Sequence, residues 1–89
     1  MEVTFTIEYK KIVQTNHIPQ LPANIKNTIK KAIEIRLTKD PIRFGKPLQY
    51  SKKGSRRLRV GDYRIVYIID HQQKIVIITA IKHRKEVYL

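Results

Sequence analysis

Arg57, Arg59 and Arg64 lie in the segment Arg57-Leu58-Arg59-Val60-Gly61-Asp62-Tyr63-Arg64, where two alternating runs flank a Gly-Asp pair. A guanidinium grips phosphate through paired hydrogen bonds, so arginines at this spacing suit a ligand that carries phosphates. Gly61-Asp62 fits a two-residue hairpin turn with glycine at its first central position. Such a turn pairs Val60 with Tyr63, Arg59 with Arg64, Leu58 with Ile65 and Arg57 with Val66, and paired residues share a face. All three arginines then fall on one face of a sheet. A single arginine on a strand is most simply a solvated side chain. Three together repel one another, and an anion is the simplest compensation. Tyr and His rings stack on unpaired bases, which makes single-stranded RNA a fitting ligand.

The elements that position these residues follow from periodicity. Lys74 to Ile81 is a nearly continuous apolar strand reached across Asp70-His71-Gln72-Gln73. With Ile69 opposite Lys74, Thr79 pairs with Arg64, and Ile75, Ile77, Ile81 and His83 join the arginine face. His83 then projects beside the arginines. The opposite face collects Leu58, Val60, Tyr63, Ile65, Tyr67, Val76, Ile78 and Ala80, an apolar surface for helices to cover. Upstream, Val3, Phe5 and Ile7 alternate as a first strand. Tyr9 to Asn16 reads as a short helix with Ile12 and Val13 inward. Pro19 and Pro22 mark a break, and Ile25, Ile29, Ala32, Ile33 and Leu37 then recur at helical spacing up to a stop before Pro41. The segment from Pro41 to Gly54 reads as an irregular connection with an extended stretch at Pro47 to Tyr50. The expected architecture is α+β, in the order β-α-α-β-β-β, with two helices on one face of a mainly antiparallel curved sheet.

Nineteen Lys and Arg against seven Asp and Glu leave a net charge of +12 on 89 residues, which calls for a polyanion or an acidic partner. That length suits one domain spanning residues 1–89. The absence of Cys excludes disulfides and thiolate metal sites, and His17, His71 and His83 form no ligand cluster, so neither metal nor cofactor is expected. The apolar runs are too short for export or membrane spanning, and a reducing cytoplasm fits. Lys46, Lys52 and Lys53 lead into the arginine strand and are candidates for RNA backbone contacts. Lys26, Lys30 and Lys31 read as a solvated helix face, and Tyr63 and Tyr67 as core. His17 and His71 receive no role.

The pattern Arg57-Leu58-Arg59-Val60-Gly61-Asp62-Tyr63-Arg64-Ile65-Val66-Tyr67, followed by Lys82-His83-Arg84-Lys85-Glu86-Val87-Tyr88, resembles toxins of the RelE/ParE superfamily, and more closely its RelE-like branch. Asp40-Pro41 and Gly45-Lys46-Pro47-Leu48 add to the likeness, which covers nearly the whole chain. The resemblance implies the toxin of a type II toxin-antitoxin system, bound in a hetero-oligomer by an acidic antitoxin encoded alongside it. It also implies a metal-independent endoribonuclease that cuts mRNA in the ribosomal decoding site and halts translation. Position by position it places the family's catalytic cations at Arg57, Arg59 and Arg64, a terminal acid/base region at His83 and Arg84, and an aromatic at Tyr88. Lys82 stands where many relatives have Gly. The order of proton transfer between His83 and Tyr88 stays open. Two other readings are a ParE-like inhibitor of DNA gyrase and an RNA-binding protein that cuts nothing.

Overall fold

The structure, a computed structural model, describes residues 4–49, 51 and 53–86. The expectations for Val3, Lys52 and Tyr88 lie outside the described residues. Strand β1 (Thr6–Tyr9) turns Ile7 and Tyr9 toward the core. A π-helical turn (Val13–His17) follows, closed by a hydrogen bond from Ile18 N–H to the Val13 carbonyl at 2.9 Å. Only half of the expected pair points inward. Val13 is buried, whereas Ile12 is 47% exposed, because the short wide turn has room for one apolar anchor over the sheet.

Helix α1 (Ala23–Ala32) runs on as a π-helical segment (Ile33–Leu37), and its stripe buries Ile29, Ala32, Ile33 and Leu37. It ends before Pro41, as proline demands. The expected irregular connection contains two short elements instead. Asp40 caps helix α2 (Pro41–Phe44): its Oδ1 accepts from Arg43 N–H at 3.0 Å, and Pro41 occupies the first turn, where no N–H is needed. Strand β2 (Lys46–Pro47) follows, shorter and earlier than the stretch expected at Pro47 to Tyr50.

Strands β3 (Arg56–Val60), β4 (Tyr63–Asp70) and β5 (Ile75–His83) complete the sheet. The strand order is β1-β5-β4-β3-β2, antiparallel except for the parallel pair β1 and β5. The hairpin between β3 and β4 has the expected register, with Gly61 at φ 59 in its turn. Among the described residues β2 is two residues long, so β3 beyond Arg57 has no strand on its outer side.

The register of β4 with β5 departs from expectation. It begins at Asp70 opposite Ile75, then shifts between Val66 and Tyr67, which pair with Ala80 and Ile78 and leave Thr79 as the extra residue. The Thr79 hydroxyl donates to the Val66 carbonyl at 3.2 Å, which ties the bulge down. An extra residue reverses the facing of everything beyond it. Ile81 and His83 therefore join the helix side, and Ala80 moves to the arginine side. Ile75 and Ile77 lie before the bulge and keep their expected face. Leu58, Ile65, Tyr67, Val76, Ile78 and Ile81 form the sheet half of the core, against Val13, Leu21, Ile29, Ile33 and Leu37 from the helical layer.

Candidate nucleic-acid interface

The uncovered sheet face carries a row of cations across three strands. Arg59 on β3 lies opposite Arg64 on β4, and Arg64 lies opposite Lys82 on β5. A second row runs from Lys46 on β2 to Arg57 on β3, and on to Val66 and Ala80. Neighbouring strands are about 4.8 Å apart, and like charges opposed at that range repel by about 1 kcal/mol even with water-like screening. Among the described residues no carboxylate lies within 4.0 Å of Arg57, Arg59 or Arg64. Lys82 has a long contact to Glu86, 3.9 Å between two exposed side chains, which holds little. The face is thus a repulsive arrangement that an anion relieves.

Two clefts flank Arg59. One, of about 370 Å³, is lined by Arg59, Arg64, Arg84, Lys85 and the turn Gly61-Asp62-Tyr63. The other, of about 290 Å³, lies over the edge of β3 and is lined by Arg36, Phe44, Lys46, Arg57, Leu58 and Arg59. Arg84 is anchored at its backbone, where its N–H donates to the Asp62 carbonyl at 2.8 Å, and its side chain meets the Asp62 carboxylate at 3.7 Å. Exposed pairs of that kind are weak, so the guanidinium exchanges partners easily.

His83 stands elsewhere than expected. It lies opposite Tyr63, the two rings meeting edge to face with centroids 5.1 Å apart, and its Nδ1 accepts from Lys85 N–H at 3.2 Å. Lys82 instead joins the arginine face, opposite Arg64, the place that the unbulged register gave to Thr79. Lys46 is brought to Arg57, as its position in the chain suggested, whereas Lys53 is exposed on a turn and lines neither cleft.

Sequence reasoning missed Arg36, Phe44, Lys82 and Lys85. Lys82 was hidden by the bulge, and Arg36 comes from a helix whose approach to β3 has no local signal. Phe44, one of two aromatics with Tyr50 in a connection rich in Gly, Pro and cations, was the legible clue.

A structural clasp holds the edge cleft open. The Arg56 guanidinium donates through Nη2 to the carbonyls of Ile42 at 2.6 Å and Gly45 at 2.9 Å, and the Tyr67 hydroxyl donates to the Pro41 carbonyl at 2.5 Å. Burial raises the Tyr67 pKa above 10.0, although the neighbouring Arg56 opposes the shift, so the hydroxyl keeps its proton and remains a donor. Gly45 is required by close approach: a Cβ there would sit 1.7 Å from the Tyr67 oxygen and 2.9 Å from the Arg57 carbonyl. On the helix side, His17 Nδ1 accepts from Ile81 N–H at 3.1 Å, and burial together with Lys82 lowers its pKa against the opposing pull of Glu86.

Comparison with known proteins bears on the family and the fold. Residues 5–88 match the profile of the family described as ParE toxin of type II toxin-antitoxin system, parDE. Toxin RelG of Mycobacterium tuberculosis is 38% identical over 52 residues, a stretch that covers 58% of this chain and 60% of that protein. The chain therefore matches about three fifths of that relative's length. The fold is similar to a chain of the RelBE2 toxin-antitoxin complex of Mycobacterium tuberculosis, with a TM-score of 0.84 at 28% identity over 94% of this chain and 95% of that one. The isolated RelE toxin of E. coli shares the fold at a TM-score of 0.73 and 18% identity, over 94% of this chain and 90% of that one.

Proposed function

Since the chain belongs to the ParE toxin family of type II toxin-antitoxin systems, we propose that it acts as a RelE-like endoribonuclease, cutting mRNA in the cytoplasm at the ribosomal decoding site. The observation that carries this reading is the row Arg59, Arg64 and Lys82 on a sheet face that, among the described residues, no helix covers. The chemistry needs no metal. The 2′-hydroxyl of the RNA attacks the adjacent phosphorus, a proton leaves that hydroxyl, and the bond to the 5′-oxygen breaks as that oxygen gains a proton. The products are a 2′,3′-cyclic phosphate and a 5′-hydroxyl end. Arg59 and Arg64 stabilise the extra negative charge on the phosphate, and Arg57 positions the chain beside them.

Proton transfer falls to His83 and Tyr88. Because His83 Nδ1 is taken by Lys85 N–H, the ring offers Nε2. The part of Tyr88 rests on its place in the terminal motif. Arg84, Lys46, Lys52 and Lys53 hold the backbone of the RNA.

An acidic antitoxin is the proposed partner. Val66, Ile68, Ile75 and Ile77 form a half-exposed apolar strip on the arginine face, and a partner segment with apolar and acidic side chains would cover strip and cations together.

The deciding experiment maps new 5′ ends on a defined mRNA incubated with the protein, with and without ribosomes. Cleavage that needs ribosomes and falls 10²- to 10³-fold in Arg64→Ala is the expected result, on the order seen when one transition-state donor is removed. No new ends from folded protein would remove the nuclease reading. Gyrase inhibition is the second reading, favoured by the ParE designation of the family. Loss of gyrase supercoiling in the presence of the protein would establish it.

A further inference from the structure

The cleft over the β3 edge is built differently from the arginine row. Among the described residues its lining includes the cations Arg36, Lys46, Arg57 and Arg59 and no carboxylate. Phe44 is 47% exposed at its wall, although a phenyl ring gains most by burial. Nothing in the core needs it there. The ring is nevertheless held in place, since helix α2, which carries it, is clasped to the sheet by the Arg56 and Tyr67 hydrogen bonds and by the close packing of Gly45. A fixed, bare aromatic among unopposed cations is what single-stranded nucleic acid uses: cations follow the phosphates, and the ring stacks on a base.

We propose that this cleft is a nucleotide subsite, in which the Phe44 ring stacks on one unpaired base while Arg36, Lys46 and Arg57 hold the phosphates beside it. The proposal rests on reading the arginine face as an RNA site. Arg59 lines both clefts, so the strand that presents its scissile phosphate to Arg59 and Arg64 continues over the β3 edge to Phe44. Arg57 and Arg59 are two residues apart on one face of a strand, about 6.5 Å, which suits successive phosphates of a stretched chain. Stacking on Phe44 accepts any base, so the subsite sets affinity and register and leaves sequence preference to other contacts.

The test uses a fluorescein-labelled single-stranded RNA about ten nucleotides long, with 2′-O-methyl sugars so that it cannot be cut. A matching chain without bases is measured in parallel. Binding by fluorescence anisotropy is compared for the wild type, Phe44→Ala, Phe44→Tyr, Arg36→Ala and Arg64→Ala, with thermal melts as the folding control. The subsite predicts that Phe44→Ala binds RNA about tenfold more weakly, with an unchanged salt slope, and no longer distinguishes RNA from the chain without bases. Phe44→Tyr restores both, and Arg36→Ala weakens binding with a shallower salt slope. If Phe44→Ala binds like the wild type while Arg64→Ala does not, the subsite is wrong and the arginine-face reading survives. If Phe44→Ala leaves RNA binding intact but weakens binding to an acidic protein partner, the cleft is a protein surface and the proposal falls. If the wild type binds neither probe, the subsite falls, while the arginine-face reading is decided separately by the cleavage assay with ribosomes.

Discussion

Single residues set the conditions for the site. Gly45→Ala should displace helix α2, because the new methyl would collide with the Tyr67 hydroxyl and the Arg57 backbone. A destabilisation of about 1–3 kcal/mol in urea unfolding is expected, the usual cost of overpacking. Tyr67→Phe removes one donor and leaves the Pro41 carbonyl without it, for about 1–3 kcal/mol in the same assay. His17 supplies a dependence on pH. Its Nδ1 must be unprotonated to accept from Ile81 N–H, and burial holds its pKa below the ordinary 6.5. The unfolded chain therefore takes up the proton first, so this contribution is complete above pH 6.5 and is lost as pH falls through the lower folded value. Melting temperature should thus drop on acidification more in the wild type than in His17→Gln, which keeps an acceptor and cannot titrate. Parallel curves for the two proteins would show that the contact carries no such weight.

At the scale of elements, the bulge at Thr79 decides which side chains share a face. Inserting one alanine between Ala80 and Ile81 would reverse the facing beyond it, forcing Lys82 toward the core and Ile81 out of it. The expected outcome is loss of a cooperative melt in calorimetry. This bulge also marks where the sequence stops being readable. The β3-β4 hairpin was legible because two residues, Gly61 and Asp62, fix its register locally. Between β4 and β5 the register differed by two residues from the start, and the facing alone was legible as far as the bulge, since nothing in Ile77-Ile78-Thr79-Ala80 announces which residue the partner strand will skip. His83 was misplaced for that reason alone, while Arg57, Arg59 and Arg64 kept their face. Phe44 gained its position through contacts spanning 14 and 26 residues of chain, from Arg56 to Ile42 and from Tyr67 to Pro41. Local pattern does not carry such information.

For the whole molecule, the net charge of +12 includes the cations of the arginine face, where a polyanion can reach them. Binding to single-stranded RNA should weaken steeply with salt, by about 0.7 in log-log slope for each phosphate neutralised. Arg57→Ala should flatten the slope by about that amount, and a titration series in potassium chloride would show it. The expectation of helices on one side and cations on the other was legible from alternation and composition alone, because only one face of the sheet offers enough apolar area for a core.

Among the described residues, the short β2 leaves the outer side of β3 without a strand partner beyond Arg57. A bare strand edge is a template for other chains, and charge is the usual guard against it. Arg57 and Arg59 stand on that strand, so the side chains read here as a grip on RNA also keep copies of the protein apart. Replacing both with alanine would therefore cost solubility as well as binding. A variant that loses activity and also scatters light at rising concentration would be failing for two reasons that one residue pair had kept together.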